Sequence, residues 1–388
     1  MKRWWIPVGI LLLLSVLLSG CAGGVRQDSW SGLIVDEGVV YAANSADVVA
    51  LDATTAELLW RFPDAPAKNI GPFYATPVLA EEASLLLVAG FGDKTVYALR
   101  TGLIPAGVSR VVWTFPTETN SGGLIALPWQ GNGEGAGGQY VGSGVVADGL
   151  FIIGNGDGFV YALNLSNGAQ VWAFQTGGRV WADPVVVDDE VYVASMDGHV
   201  YALNLADGTL RWQQELDAAV TGTPAVVGDA LWVGDFSGQL YQLSLADGNL
   251  RQTFTGNDWF WAAPLGVDER LFAVDISGYV YALDALTGEA LWPAPAHVDD
   301  LVRGQPALTA EGVLLVPGHE SGLIYALDAE TGDPIPWGLA PERPGRLPSD
   351  VVVVDERVYV MPIQAEARIR VFSMSNGALL WQYPAATQ

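Results

Sequence analysis

The sequence predicts an all-β chain, one eight-bladed β-propeller of four-stranded antiparallel blades, and three observations lead there. A short unit recurs along the chain, with tyrosines at 161, 201, 241 and 281 standing 40 residues apart and each opening a Tyr-Ala-Leu or Tyr-Gln-Leu triplet. Eleven residues beyond three of the unit tyrosines (161, 201 and 281) stands a tryptophan: Trp172, Trp212 and Trp292. Inside each unit, short runs of alternating apolar and polar residues are separated by Asp-Gly, Ser-Gly, Asn-Gly and Thr-Gly pairs. That is the pattern of half-buried strands joined by tight hairpins, where glycine supplies the positive φ. Four short strands in 40 to 48 residues make a propeller blade rather than a helical repeat.

The first element in chain order is an address. Lys2 and Arg3 precede an apolar run from Trp4 to Leu18, shorter than the roughly 20 residues of a membrane span and suited to the core of an export signal. It ends in Leu18-Ser19-Gly20-Cys21, which resembles the bacterial lipobox. The resemblance implies a lipoprotein signal peptide over 1–20, acylation of Cys21, and a lipidated tether over 21–29. Such a tether reaches about 3.3–3.6 Å per residue, or roughly 30 Å. Cys21 is the single cysteine of the chain, so internal disulfides and multi-cysteine metal sites are excluded. Ala22 after it implies, by the same resemblance, outer-membrane sorting in a cell that has one.

The propeller then fills 30–388. In the fourth unit the pattern places strands over 182–187, Glu190–Ala194, 199–205 and 210–216, with hairpin turns at Asp197-Gly198 and Asp207-Gly208. The first and last units keep a tryptophan at Trp60 and Trp381, while Trp337 comes one residue late and Trp113 five late, after an insertion over 103–108. The fifth unit has Gln252 where tryptophan is expected, which predicts the weakest-packed blade.

The stretch Ala282-Leu283-Asp284-Ala285-Leu286-Thr287-Gly288-Glu289-Ala290-Leu291-Trp292 resembles the tryptophan-docking motif of the quinoprotein (PQQ-like) propeller repeat. What the resemblance implies is a ring in which Trp60, Trp113, Trp172, Trp212, Trp292, Trp337 and Trp381 pack between neighbouring blades as structural fasteners. It also raises a redox enzyme. Large alcohol dehydrogenases of that class hold their quinone against a ring of two adjacent cysteines beside a calcium, and this chain has one cysteine. A quinone tricarboxylate also needs several cations, and 18 basic residues stand against 43 acidic ones. No catalytic, cofactor-binding or metal-ligating residue is assigned, and the expectation is a protein that is not an enzyme.

The same balance, a net charge of −25, argues against nucleic acid as a partner. Variation is concentrated in the crossovers between blades, at 68–74, 119–144, 177–181, 217–222, 256–261, 297–303 and 341–348, which share a face with the loops between second and third strands. Their aromatic residues and arginines are the types that binding hot spots favour. The candidate partner face is therefore Phe73, Tyr74, Trp129, Arg179, Trp181, Trp259, Phe260, Trp261 and Arg303. A plug for the funnel of the ring is the competing role for half of them. The glycine-rich stretch 119–144 carries no strand pattern.

Lipobox, eight PQQ-like blades and missing catalytic ligands together resemble the BamB family of lipoproteins. That resemblance implies an exported, membrane-anchored scaffold that binds a membrane protein or protein complex during outer-membrane β-barrel assembly. Two alternatives stay open, an extracytoplasmic ligand-binding, sensor or adhesion propeller and a PQQ-dependent dehydrogenase.

Overall fold

The computed structural model describes residues 32–116 (apart from 45, 66, 68 and 106), 138–337 and 345–384. The signal peptide, Cys21, the tether and Trp129 lie outside the described residues. Eight antiparallel sheets, each a simple meander in chain order, make up the ring. Seven have four strands, as in Glu190–Ala194 between Val185–Val187 and His199–Asn204, followed by Leu210–Glu215. In the seventh blade the ladder stops at three strands, and its fourth is a single bridge from Leu327 to Pro334. Pro334 and Pro336 lack the N–H a ladder needs. First strands are shorter than the pattern predicts, beginning at Val185 rather than 182, because Pro184 cannot donate and Asp183 N donates to a side chain of the next blade instead.

First strands of neighbouring blades touch one another, so they line the central channel. Fourth strands alternate exposed and half-buried residues and form the outer rim. Second and third strands depart from the expected alternation: Val191, Tyr192, Val193 and Ala194 are all buried. Each blade is covered on both faces by its neighbours, so a middle strand has no wet side. Eight apolar clusters fill the clefts between blades, one per cleft.

The tryptophans work as fasteners by two contacts. Their indole N–H donates to a carbonyl of the next blade: Trp60 to Thr101 (2.7 Å), Trp113 to Leu165 (2.8 Å), Trp172 to Leu205 (2.8 Å), Trp212 to Leu245 (2.9 Å), Trp292 to Ala329 (3.2 Å) and Trp337 to Met374 (2.8 Å). The indole also lies on the turn glycine of that blade. A Cβ on Gly208 would stand 2.6 Å from Trp172, and one on Gly248 2.4 Å from Trp212. Those glycines have φ of +69° and +70°, so turn geometry and indole both require them.

The ring closes without sharing a strand, since first and last blades each come from one continuous segment. Trp381 donates to Ala53 O across the seam at 3.0 Å, and Arg357 reaches the same oxygen at 3.2 Å. Leu33, Val40 and Leu51 pack there against Tyr359, Ile369 and Val371.

The fifth blade corrects the expectation of weak packing. Its indole has moved to the second strand, Ala230–Gly234: Trp232 is fully buried and its N–H donates to Ala285 O at 3.0 Å. That carbonyl is the counterpart of Leu245 O, which Trp212 reaches from a fourth strand. In the fourth blade the cross-strand row reads Tyr192, Ala202, Trp212. In the fifth it reads Trp232, Gln242, Gln252, and Gln242 Nε2 adds a second bond to Ala285 O at 2.7 Å.

Candidate functional site

In such a meander the loops between second and third strands and the crossovers occupy one end of the ring. The turns of the docking motif occupy the other. The crossover end is held by repeated tyrosine–aspartate pairs. Tyr161, Tyr201, Tyr241 and Tyr281 donate to Asp157, Asp197, Asp235 and Asp275 at 2.8, 2.8, 3.0 and 2.8 Å. A carboxylate accepts several bonds at once, and three of these also take backbone N–H groups of the preceding crossover: Gly177 on Asp197 (2.6 Å), Ala218 on Asp235 (2.9 Å) and Asp258 on Asp275 (3.2 Å). Burial, reinforced by the adjoining carboxylate, holds these phenols well above their ordinary range. The recurring tyrosine is thus a pin that fixes the crossovers.

On that frame the predicted partner residues separate. Phe73 is fully buried between Phe62 and Tyr97, and Phe260 is buried against Tyr281. Both belong to packing and not to a face, because crossover residues alternate inward and outward as strand residues do. Trp259 and Trp261 flank Phe260 and point the other way. They sandwich Phe236 in a stack with centroids 5.5 and 5.3 Å apart, and Trp259 is 50% exposed. Tyr74 is half-buried on Phe91. Arg179 lies over half-buried Trp181 and Arg303 over half-buried Trp261, at 5.9 and 5.4 Å from the ring centres.

Part of this face opens as a shallow funnel, continuous with solvent, that encloses only about 100 Å³. Tyr74, Trp181, Trp261 and Arg303 wall it, and Thr76, Ser143, Asp183, Thr223 and Asp350 form its polar lining. Thr76, Ser143, Asp183 and Asp350 also border a second recess with Ile34 and Val35, so they ring the channel between the two. Each of these polar residues stands at the start of a blade. Several link adjacent blades: Ser143 N donates to Asp183 (2.6 Å), Asp183 N to Thr223 Oγ1 (3.0 Å) and Gln305 N to Asp350 (2.6 Å). Sequence reasoning missed Asp183 and Asp350. The Asp183-Pro184 and Thr223-Pro224 pairs are the signal that marks these blade starts.

Burial pushes the Asp183 carboxyl up to about 7, with the charge of Asp350 adding to it, against the lowering effect of the Ser143 N–H. Desolvation raises Asp350 as well, against the lowering effect of the Gln305 N–H, although the residue is exposed at the channel. An acid raised in the folded state favours folding while protonated in both states. That contribution is lost as pH climbs from the unfolded value of about 4 to about 7. Asp183→Asn keeps an oxygen for the Ser143 N–H and removes the charge. It should raise the melting midpoint by on the order of 1–2 °C at pH 8 and leave it unchanged near pH 4. A lower midpoint at both pH values would refute this reading of the carboxyl.

Residues 109–255, 197–302 and 276–388 match the PQQ-repeat family described as outer membrane protein assembly factor BamB. Among solved structures, BamB from Moraxella catarrhalis is similar at a TM-score of 0.66 and 19% identity, over 85% of this chain and 92% of that one. The computationally designed Ika8 protein is similar at a TM-score of 0.68 and 13% identity, over 88% of this chain and 95% of that one. No curated protein matches the chain.

Proposed function

The chain belongs to the family of outer membrane protein assembly factor BamB, and from that premise we propose that it is an exported, lipid-anchored scaffold. In this reading it offers the crossover face of its ring to a membrane-protein partner, in the assembly of outer-membrane β-barrel proteins. The observation that carries the proposal is the Trp259–Phe236–Trp261 stack, a half-exposed indole on a rigid base at a pinned loop end. Preorganised aromatic anchors of this kind dominate binding energy because little freedom is left to lose. The opposite face has turns whose glycines and aspartates are committed to the docking motif, which leaves little there to encode a partner.

The tether supports an orientation. The first strand, Gly32–Asp36, starts at the crossover end, so a chain leaving Cys21 arrives at that end and keeps it within roughly 35 Å of the lipid. No catalysis is part of the proposal. A photo-cross-linker at Trp259 should capture β-barrel assembly proteins from native membranes, and one at Thr209, on the opposite face, should not. Labelling from Thr209 alone would overturn the orientation, and capture of other membrane proteins from Trp259 would overturn the assembly role. Ligand binding in the funnel, the second reading, is favoured by one feature, Arg303 lying over Trp261 in its wall.

A further inference from the structure

We infer that the crossover face takes a cationic, apolar segment of its partner, laid over the fifth and sixth blades with one side chain in a recess between them. The inference deepens the scaffold reading and rests on it. Crossovers run from the outer rim to the channel, so along each of them chain order is radial order. Asp217, Asn257 and Asp299 stand at one position and are exposed, and Ala219, Trp259 and Leu301 follow two residues on. The carbonyls of these three accept the N–H groups of Phe236 (3.0 Å), Ile276 (2.8 Å) and His319 (2.7 Å) from loops between second and third strands. Stitched in this way, Ala219, Phe236, Trp259, Ile276 and Leu301 form an apolar belt, and Trp259 and Leu301 are its exposed members.

Two residues before Trp259, Asn257 borders a recess enclosing about 290 Å³, whose apolar lining includes Phe254, Tyr281, Leu283, Trp292 and Pro293. The sequence opens it. Tyr279 pairs with His297, five residues beyond Trp292, where His199 pairs with Glu215, three beyond Trp212. Those extra residues, with Pro293 and Pro295 lacking N–H groups, keep the fourth strand off the third until Ala296. A volume at the bottom of the small-ligand range suits a side chain rather than a whole ligand. Charge decides which segment brings that side chain. Asp217, Asp258 and Asp299 border the belt, while Arg211, Arg251 and Arg270 pair with carboxylates at the docking end. Arg303, the one arginine or lysine of these three crossovers, lies inward over Trp261 in the funnel wall. An acidic border on an apolar belt selects lysine or arginine beside apolar residues and repels acidic segments.

The test titrates short dye-labelled peptides into full-length protein in non-ionic detergent and follows anisotropy. The peptides alternate lysine with leucine, glutamate with leucine, and lysine with serine. Saturable binding of the lysine–leucine peptide is expected, about tenfold tighter than either of the others. Asp217→Asn with Asp299→Asn should weaken it about tenfold, as should Trp259→Ala, and Ala294→Phe, which crowds the recess, should weaken it too. Glu57→Gln with Glu289→Gln makes the same charge change at the docking end and should leave binding unchanged. Absent or unsaturable binding, equal binding of the lysine–serine peptide, or equal weakening by the two double variants would overturn the inference. The scaffold reading fails separately, on the proteins cross-linked from Trp259 in native membranes. Capture of assembly proteins undiminished by Asp217→Asn with Asp299→Asn would overturn the inference and leave that reading standing.

Discussion

Trp232→Ala should destabilise the ring by on the order of 3–5 kcal/mol, as much as truncating any of the fourth-strand tryptophans. Nothing in the repeat motif marks position 232 as important. The indole is fully buried, its N–H reaches Ala285 O at 3.0 Å, and it packs with Leu240, Phe260, Leu271 and Leu283 in the cleft between the fifth and sixth blades. Truncation would leave a cavity in a cleft that cannot collapse, since seven other clefts fix the spacing of the blades. Trp232→Phe keeps most of the volume and loses the N–H, leaving Ala285 O to Gln242 alone, so it should cost about 1–2 kcal/mol. Gln252→Ala is the discriminating control. Gln252 occupies the motif position, yet its buried Nε2 has no hydrogen-bond partner and its side chain lies against Gly288. It should cost less than about 1 kcal/mol, because losing an unsatisfied amide offsets part of the lost packing. Denaturation midpoints of the three variants decide the matter. A mild Trp232→Ala beside a severe Gln252→Ala would mean that the fastener never moved.

The same blade shows where the sequence was legible and where it was not. Periodic tyrosines, turn glycines and tryptophans specify the number of blades and their order, because each blade repeats one local solution to one packing problem. The displaced indole was also written in the sequence, but as a correlated change. Gln242 replaces the small alanine of the Tyr-Ala-Leu triplet in the same unit where Gln252 replaces tryptophan, and Trp232 stands where the fourth unit has Tyr192. These three positions share one cross-strand row. A residue-by-residue match to the motif cannot see a row, so it scored a rearranged fastener as a missing one.

The site was less legible, for a different physical reason. Aromatic residues in crossovers were identifiable by type, but facing depends on alternation within irregular backbone. Phe260 is buried between two tryptophans that point outward, and nothing in the letters separates the three. The arginine–tryptophan stacks join neighbours of very different separation, Arg179 with Trp181 and Arg303 with Trp261. The second brings together crossovers of two different blades, which only the closed ring places side by side. Ring closure was equally hidden, since its contacts, Trp381 to Ala53 and Arg368 to Asp47, join the two ends of the chain.

Cys21→Ala should abolish lipid attachment completely, the largest functional effect expected of any single change in this chain. Acyl chains contribute about 0.8 kcal/mol per buried CH₂, and one chain alone binds a membrane only reversibly, so stable anchoring needs the two or three that a lipobox cysteine would carry. With no other cysteine in the chain, no second thiol can take over. Labelled palmitate should enter the wild-type protein and be absent from Cys21→Ala. The uncleaved apolar run from Trp4 to Leu18 can retain that variant at a membrane by itself. A second variant therefore replaces residues 1–20 with a cleavable export signal and also carries Cys21→Ala. It should move from the membrane pellet to the soluble fraction and lose most cross-linking from Trp259, because a tether held within tens of ångströms of a membrane partner supplies an effective concentration that free diffusion does not. Palmitate-free wild-type protein would remove the anchor. Undiminished cross-linking from the released variant would show instead that the crossover face holds its partner without help from the lipid.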